Sequence, residues 1–469
     1  MKLTIKITLA LIGLGLVSAA QAVAISEADF QALKKQLADL DQKVRILERE
    51  REIDGEAATA AAKSAPKISL GQSGFNLSSA DTNFVIQFHG LAQLDSRSYF
   101  SDGKVNGNDG FLLRRARPII SGTVFHDFDF NLTPEFGGNS VQIVDAWLNY
   151  RYQPWLQVQA GKFKSPVGLE HLQSDMVTLF NERSLATDLV ANRDLGVALK
   201  GDVLGGAASY TLGLFNGGTD FNSTTVSTSF QDNRSVAGRL FFQPWKNSSV
   251  KALKGFGFGV GGSYLLNQPA TNSSTGLTPG YTTDGQQRFF TYNSGVNAAG
   301  DGWRISPQAY YYYGPFSLLG EYVISDQQAR RTAAGSKIVG VQNNAWEISA
   351  GWVLTGEAAG YAGITPRHPF DPHNGGWGAW QLVARYAELG VDDNAFVGPP
   401  ALRLADPTKS ASGAQSWAVG LNWFLNKNIR ANWGFSHTEF SAYRGNQIAN
   451  GNVGAQDENA LFTRIQLSF

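Results

Sequence analysis

Two ammonium groups fall on one face of an extended segment in Gly161-Lys-Phe-Lys-Ser-Pro166, because Lys162 and Lys164 are two residues apart. Arg183 lies in the stretch 165–192 that follows, and Arg193 ends it. Upstream, Arg115 and Arg117 share one strand face while Arg114 takes the other. Downstream, Arg385, Arg430 and Arg464 occupy polar positions of separate alternating segments. Cations gathered in this way suit one chemistry above others. A partly dehydrated anion needs fixed positive charge and N–H donors around it, which rings of Lys and Arg supply. Lys162, Lys164, Arg183 and Arg193 are therefore the candidates for a constriction, with the other Arg residues further along an anion path. A second reading stays open. Glu170, Asp175, Glu182, Asp188 and Asp194 stand in the same stretch, and basic groups that are all ion-paired select nothing.

Other chemistries find less support. The chain has no Gly-x-Ser-x-Gly elbow, no phosphate loop and no metal-spaced His pair on a helix. Sequence alone does not rule a Ser/His triad in or out, so a hydrolase stays open as a remote alternative. The six His are scattered; His368-Pro-Phe-Asp-Pro-His373 offers a metal pair but reads better as a Pro-rich turn. No metal and no cofactor are expected. Lys+Arg and Asp+Glu are 39 each, and beyond residue 68 they number 29 and 30. Bulk charge thus carries no signal for nucleic acid, none is expected as a partner, and any ion selectivity must come from where the charges sit. Tyr310 to Tyr313, with Trp303, are candidates for a sugar slide, although consecutive aromatics on a strand must point both ways.

These side chains need a scaffold, and the last nine residues show its kind. In Leu461-Phe-Thr-Arg-Ile-Gln-Leu-Ser-Phe469, Leu461, Thr463, Ile465, Leu467 and Phe469 fall on one face, with Arg464, Gln466 and Ser468 on the other. Apolar residues outward, polar residues inward and a terminal aromatic at the interface are what a lipid-facing barrel strand requires. Lys2 and Lys6, an apolar run from about Ile7 to Val17, and Ala20-Gln-Ala22 read as a signal peptide over residues 1–22. Residues 23–54 then show an a/d seam (Phe30, Leu33, Leu37, Leu40, Val44, Leu47) that predicts a periplasmic coiled-coil helix opened by Ser26 and Asp29. A single amphipathic helix is the simpler alternative. Residues 55–82 read as linker and 83–469 as the pore.

From about Asn83 onward, short alternating segments recur. Tight connections such as Gln153-Pro154 and Tyr313-Gly-Pro315 alternate with long polar ones, the longest early one being 165–192. That rhythm predicts an all-β transmembrane barrel of about 16 antiparallel strands, with short periplasmic turns and long external loops. Its lumen is wide enough for water, and the apolar residues of 165–192 (Leu169, Leu172, Met176, Val177, Leu179, Phe180) suit folding inward as the constriction. One connection breaks the rhythm: 355–376 should be a periplasmic turn, yet it is long and rich in Gly and Pro. With 52 Gly, 29 Phe, 15 Tyr, 11 Trp and no Cys, composition also favours a ladder-stabilised barrel over a disulfide-stapled fold.

Several segments resemble the phosphate-selective porin O and P family. They include Phe111-Leu-Leu-Arg-Arg-Ala-Arg117, Asp145-Ala-Trp-Leu-Asn-Tyr150, Gly161-Lys-Phe-Lys-Ser-Pro-Val-Gly-Leu-Glu170, Glu182-Arg-Ser184 and Arg193-Asp-Leu-Gly-Val197. Later come Gly314-Pro-Phe-Ser-Leu-Leu-Gly-Glu-Tyr322, Leu354-Thr-Gly-Glu357, Gly378-Ala-Trp-Gln-Leu-Val-Ala-Arg-Tyr386 and Gly420-Leu-Asn-Trp-Phe-Leu-Asn426. The resemblance covers about 380 residues in order. It implies a homotrimeric sixteen-stranded porin in the bacterial outer membrane, embedded in its lipid. Such a porin passes phosphate, polyphosphate or other small anions through a Lys/Arg constriction near Lys162, Lys164, Arg183 and Arg193. Gln381 departs from the family, which usually has Glu there, so an ion pair is expected to be missing. Two alternatives stand beside this reading: a general or neutral-solute, sugar-type porin, and a non-conducting envelope tether or scaffold.

Overall fold

The computed structural model describes residues 26–100, 107–138, 141–217, 234–266, 280–445 and 457–469, without the side chains of 58–62. The expected signal peptide lies outside the described residues, as do large parts of the loops expected at 101–110, 217–233, 267–287 and 441–459.

The helix α1 spans Glu27–Ser64, opened by Ser26, whose Oγ accepts the Asp29 amide at 3.1 Å. It runs past residue 54 into the Ala-rich stretch expected to be linker, because Ala is the strongest helix former. Pro66 ends it by excluding the helical region at Ala65, which is extended at φ −68° and ψ 141°. The seam residues Phe30, Leu33, Leu37, Leu40, Val44 and Leu47 are all exposed. Residues 1–65 and 66–469 form separate units.

The second unit opens with the hairpin β1 (Lys67–Gly71) and β2 (Gly74–Ser78), where linker was also expected. Then come β3 (Val85–Tyr99), β4 (Gly110–Val124), β5 (Phe128–Glu135), β6 (Gln142–Gln153), β7 (Leu156–Lys164) and β8 (Arg193–Val203). Next are β9 (Ala208–Phe215), β10 (Arg234–Phe242), β11 (Phe256–Leu266), β12 (Gly280–Thr282), β13 (Arg288–Thr291) and β14 (Val296–Tyr313). The chain ends with β15 (Phe316–Arg331), β16 (Val339–Val353), β17 (Ala379–Gly390), β18 (Gly413–Phe424), β19 (Ile429–Ser441) and β20 (Glu458–Ser468). Sixteen of these, β3–β11 and β14–β20, pair antiparallel with their neighbours and close where β20 meets β3, from Ala460 opposite Tyr99 to Ser468 opposite Leu91. Closure satisfies every ladder group, which an open edge in hydrocarbon cannot. Phe469 seals the seam by exchanging backbone hydrogen bonds with Gly90 at 2.9 and 3.1 Å. Its ring lies so close that a side chain at Gly90 would meet ring atoms at 2.7 Å.

Alternation runs around the wall. On β17, Gln381 and Arg385 are buried inward while Leu382 points out; on β20, Arg464 and Gln466 are inward while Leu461, Ile465 and Leu467 are exposed. Aromatics cluster near the short-turn end. Trp380 stacks on Trp423 at 5.0 Å, and Phe84 meets Phe125 edge-on at 5.1 Å, as a girdle at the membrane interface does. No described helix is long and apolar enough to cross a membrane, and the strands are what cross.

Two connections leave the rim and enter the lumen. The stretch 165–192 carries α2 (Leu169–Leu172) and a 3-10 turn at Leu185–Leu189, and most of its residues are buried. The hairpin β12–β13 folds in above it, with Tyr281, Phe289, Phe290 and Tyr292 buried against Leu185, Leu189, Phe396 and Leu404. The irregular connection between β16 and β17 also turns inward from the short-turn side. Tyr361 donates its hydroxyl to the Leu169 carbonyl at 2.7 Å, and Gln173 Nε2 donates to the Tyr361 carbonyl at 3.0 Å. Its length, which broke the sequence rhythm, is what lets it reach the constriction loop.

Candidate functional site: a loop tied to one wall and a cationic lumen along the other

The constriction loop is sutured to the wall formed by β17–β20 and β3. Gln93 Nε2 donates to the Asp175 carbonyl (3.1 Å), Gln466 Nε2 to Met176 (2.9 Å) and Arg430 Nη1 to Thr178 (2.9 Å). Asn422 Nδ2 donates to Leu179 (3.0 Å), Arg464 Nη1 to Asn181 (2.7 Å) and Arg385 Nη1 to Glu182 (3.0 Å). An extended loop segment inside a barrel has no ladder of its own, so its carbonyls need such donors. Charged donors give the stronger bonds, roughly 1.5–3 kcal/mol each. On the far side the loop backbone at Val167 presses against β11. A side chain at Gly261 would stand 2.1 Å from the Val167 carbonyl oxygen, so only Gly admits the loop there.

Carboxylates complete the suture. Glu182 meets Arg97 at 2.7 Å, Arg114 at 2.6 Å and Arg464 at 3.6 Å, and Arg464 also forks onto Asp95 at 2.6 and 2.7 Å. Arg385 bridges Glu170 at 3.2 Å and Asp284 at 2.8 Å, with its guanidinium 4.5 Å from the Phe180 ring. Asp175 pairs with Arg183 at 2.6 Å, with Arg115 at 3.5 Å and with Arg117. Burial alone would raise the Asp175 pKa, but Arg115, Arg183 and Arg117 outweigh it and hold the carboxyl well below the usual range. Glu182 is lowered in the same way, chiefly by Arg114 against the cost of burial. Asp188 differs. Burial pushes it up to about 8, although it accepts the Thr282 amide at 2.8 Å. Burial likewise keeps His171 well below its ordinary value, hence neutral.

What remains open lies against the opposite wall. A cavity of about 570 Å³ is lined by Arg117, Lys164, Arg193, Lys200 and Arg239 with only Asp145 and Asp175. That is a surplus of three positive charges. Arg193 is held by Asp145 (3.0 Å) and Arg117 by Glu135 (2.5 Å) and Asp175. The other three bond neutral oxygens: Lys164 Nζ to the Gln173 carbonyl (2.7 Å), Lys200 Nζ to Gln159 Oε1 (2.6 Å) and Arg239 Nε to Gln308 Oε1 (2.8 Å). Lys200 and Arg239 share a level, since both register on Thr211. A second cavity of about 460 Å³ shares Ile119, Asn131 and Met176 with the first and continues toward the short turns. It is lined by His89, Lys427 and Arg430 and by no acidic residue.

Of the sequence candidates, Lys164, Arg193 and Arg117 line the lumen, and Arg183 lies beside it, bound to Asp175. Lys162 does not line it: the residue sits opposite Ala146 and Leu195, on the outward ladder, and donates to the Ile143 carbonyl. Lys164 follows two residues later at the end of β7, opposite Arg193, and there both side chains turn onto the cavity. Arg114, Arg115, Arg385 and Arg464 hold the loop and carboxylates, and Arg430 holds the loop while edging the second cavity. Lys200 and Arg239 were missed, although both occupy polar positions opposite outward Leu199 and Leu240. The ion pair expected to be missing at Gln381 is replaced by an amide chain, with Asn422 Nδ2 donating to Gln381 Oε1 at 3.2 Å and Asn432 to Asn422. Tyr310 and Tyr312 face inward beside Tyr361, whereas Tyr311 and Tyr313 stack on the outer face and Trp303 pairs with outward Tyr264. Among the described residues, no group of three or more His, Asp or Glu is placed to hold a metal.

Comparison with known proteins places this geometry in a family. The profile described as "Phosphate-selective porin O and P" matches residues 86–469. Porin O of Pseudomonas aeruginosa is 23% identical over 454 residues, covering 88% of this chain and 95% of that protein. An uncharacterized protein of Caulobacter vibrioides is 26% identical over 305 residues, covering 62% of this chain and 57% of that one. Among solved structures, the outer membrane channel DcaP of Acinetobacter baumannii superposes with a TM-score of 0.52 at 11% identity, covering 82% of this chain and 98% of that one. An anion-selective porin from Comamonas acidovorans gives 0.51 at 10% identity, covering 82% and 99%. At such identities the structural likeness speaks for the barrel fold.

Proposed function

The chain belongs to the phosphate-selective porin O and P family and is a porin of the bacterial outer membrane; from that premise we propose that it is a passive channel for small anions, phosphate and short polyphosphate foremost. The observation that carries this reading is the trio Lys164, Lys200 and Arg239, whose charges meet neutral oxygens and stay available to a passing anion. Down its gradient, an anion would pass from Lys164 and Arg193 to Lys200 and Arg239, and on to Lys427 and His89 beyond. Each step exchanges part of its hydration shell for N–H donors. The channel needs no cofactor and no turnover in this reading, and it calls for no nucleic acid.

A homotrimer set in outer-membrane lipid completes the proposal. Its support is α1, whose seam residues are exposed and would find identical partners in other copies. The general-porin alternative takes its support from the pairing of Arg117, Arg183 and Arg193. Planar bilayers under a potassium chloride gradient distinguish them. The anion reading expects a chloride-selective reversal potential and block of chloride current by low phosphate. A cation-selective potential defeats the anion channel, and chloride current untouched by phosphate defeats the phosphate preference. Absence of any conductance would favour the tether.

A further inference from the structure

We propose that the cavity beside the constriction loop is a binding station for organic anions that carry a flat apolar body, such as arylsulfonates, arylcarboxylates and aryl phosphate monoesters. The inference rests on the anion-channel reading and narrows its solute. Its starting point is Trp147. On β6 the lumen face otherwise carries Asp145, Asn149 and Arg151, while Ala146, Leu148 and Tyr150 face outward. An indole on the wet face breaks the binary rule for a porin strand. It packs against a buried apolar cluster shared by loop and wall, and its ring stands 5.7 Å from Lys200 Nζ while also lining the cavity.

The loop supplies a second apolar surface. Leu172 and Met176 line the same cavity, as does Tyr361 from the inward turn. Arg239 lies 4.2 Å from the centroid of Phe241, so its guanidinium too is backed by an aromatic face. For chloride or inorganic phosphate these surfaces are a liability. An ion that sheds water there receives no donor in return. An anion with an aryl body gains on both sides: its charged head sits by Lys200 and Arg239, and its ring covers Trp147 or the thioether of Met176. Lys200 and Arg239 flank Thr211 across three strands, so their Cα atoms stand roughly 10 Å apart. A head group on Lys200 keeps its ring within reach of Trp147, while one on Arg239 lies beside the Phe241 ring.

Bi-ionic potentials of the full-length protein in planar bilayers test this, with sodium chloride on one side and sodium benzenesulfonate or sodium methanesulfonate on the other. Both probes stay ionised, so leakage through lipid does not intrude. Benzenesulfonate, slower in water, should nevertheless permeate better than methanesulfonate, by roughly two- to five-fold. W147A should bring that ratio below one, and W147F should keep most of it; discrete conductance steps show that the variants have folded. A wild-type ratio at or below one, in channels that are anion-selective, overturns the proposal and leaves the anion channel standing. A ratio that W147A does not change also overturns it. Cation selectivity in the wild type removes both readings together.

Discussion

The two halves of the inner wall carry the same residue types for opposite ends. On β17–β20 and β3, Arg385 and Arg464 are buried and committed to loop carbonyls and carboxylates, and Arg430 donates to the Thr178 carbonyl and to Gln466 Oε1. On β7–β10, Lys164, Lys200 and Arg239 bond neutral oxygens and line open volume. A guanidinium that forks onto Asp95 while donating to a carbonyl is a structural clamp. An ammonium resting on an amide oxygen keeps its charge unneutralised. Inward Arg or Lys therefore does not by itself mark a pore residue. What decides is the partner, and the partner is set by which wall the constriction loop leans against.

The difference can be broken from either side. Arg464→Ala should have the largest effect, because it leaves Asp95 buried without its fork and frees the Asn181 carbonyl. A loss of about 3–5 kcal/mol is expected, read as a lower unfolding temperature in detergent, together with larger and noisier single-channel steps. Lys200→Glu on the other wall should do the reverse. Stability should change by less than about 1 kcal/mol, while the chloride preference read from the reversal potential falls sharply. If both variants shifted selectivity alike and stability alike, the division into two walls would be lost.

Smaller changes sharpen it. Tyr361→Phe removes the hydroxyl that donates to the Leu169 carbonyl and should cost about 1 kcal/mol. The expected sign is more frequent brief openings in single-channel records, since the inward turn supports the loop from below. The smallest effect concerns Asp188. Its folded pKa, about 8, is above its ordinary value of 3.8, so the folded state holds the proton more tightly. That contribution is fully present below about pH 4 and is lost as pH rises through about 8. Hydrogen exchange at the Thr282 amide should thus report weaker docking of the β12–β13 hairpin between those limits, and Asp188→Asn should flatten the profile. An unchanged profile in that variant would assign the dependence to another group.

Much of this architecture was legible in the chain. Alternation in the last nine residues, the rhythm of short and long connections, and the apolar content of 165–192 pointed to sixteen strands and an inward loop, because strand period and solvent on each side are local properties. Lys164 and Arg193 were picked out as cations at the two ends of that loop, and both line the cavity. The suture was not. Arg464 and the Asn181 carbonyl lie 283 residues apart, and nothing local in either segment encodes their meeting. Lys162 was misplaced because period-2 reading says which residues share a face but not which solvent that face meets, and only Lys164, at the strand end, turns onto the cavity. Lys200 and Arg239 obeyed parity and could have been found by following it strand by strand. The long connection between β16 and β17 stood out as an anomaly, but its contact with the loop needed three dimensions.

The account depends on where the uncommitted positive charge lies, and one measurement addresses it. The reversal potential of the triple variant Lys164→Glu, Lys200→Glu, Arg239→Glu, in planar bilayers under a potassium chloride gradient, should invert from chloride- to potassium-selective. A potential indistinguishable from that of the unaltered protein, in channels that insert and conduct, would mean that selectivity resides elsewhere and that this wall is not the anion path.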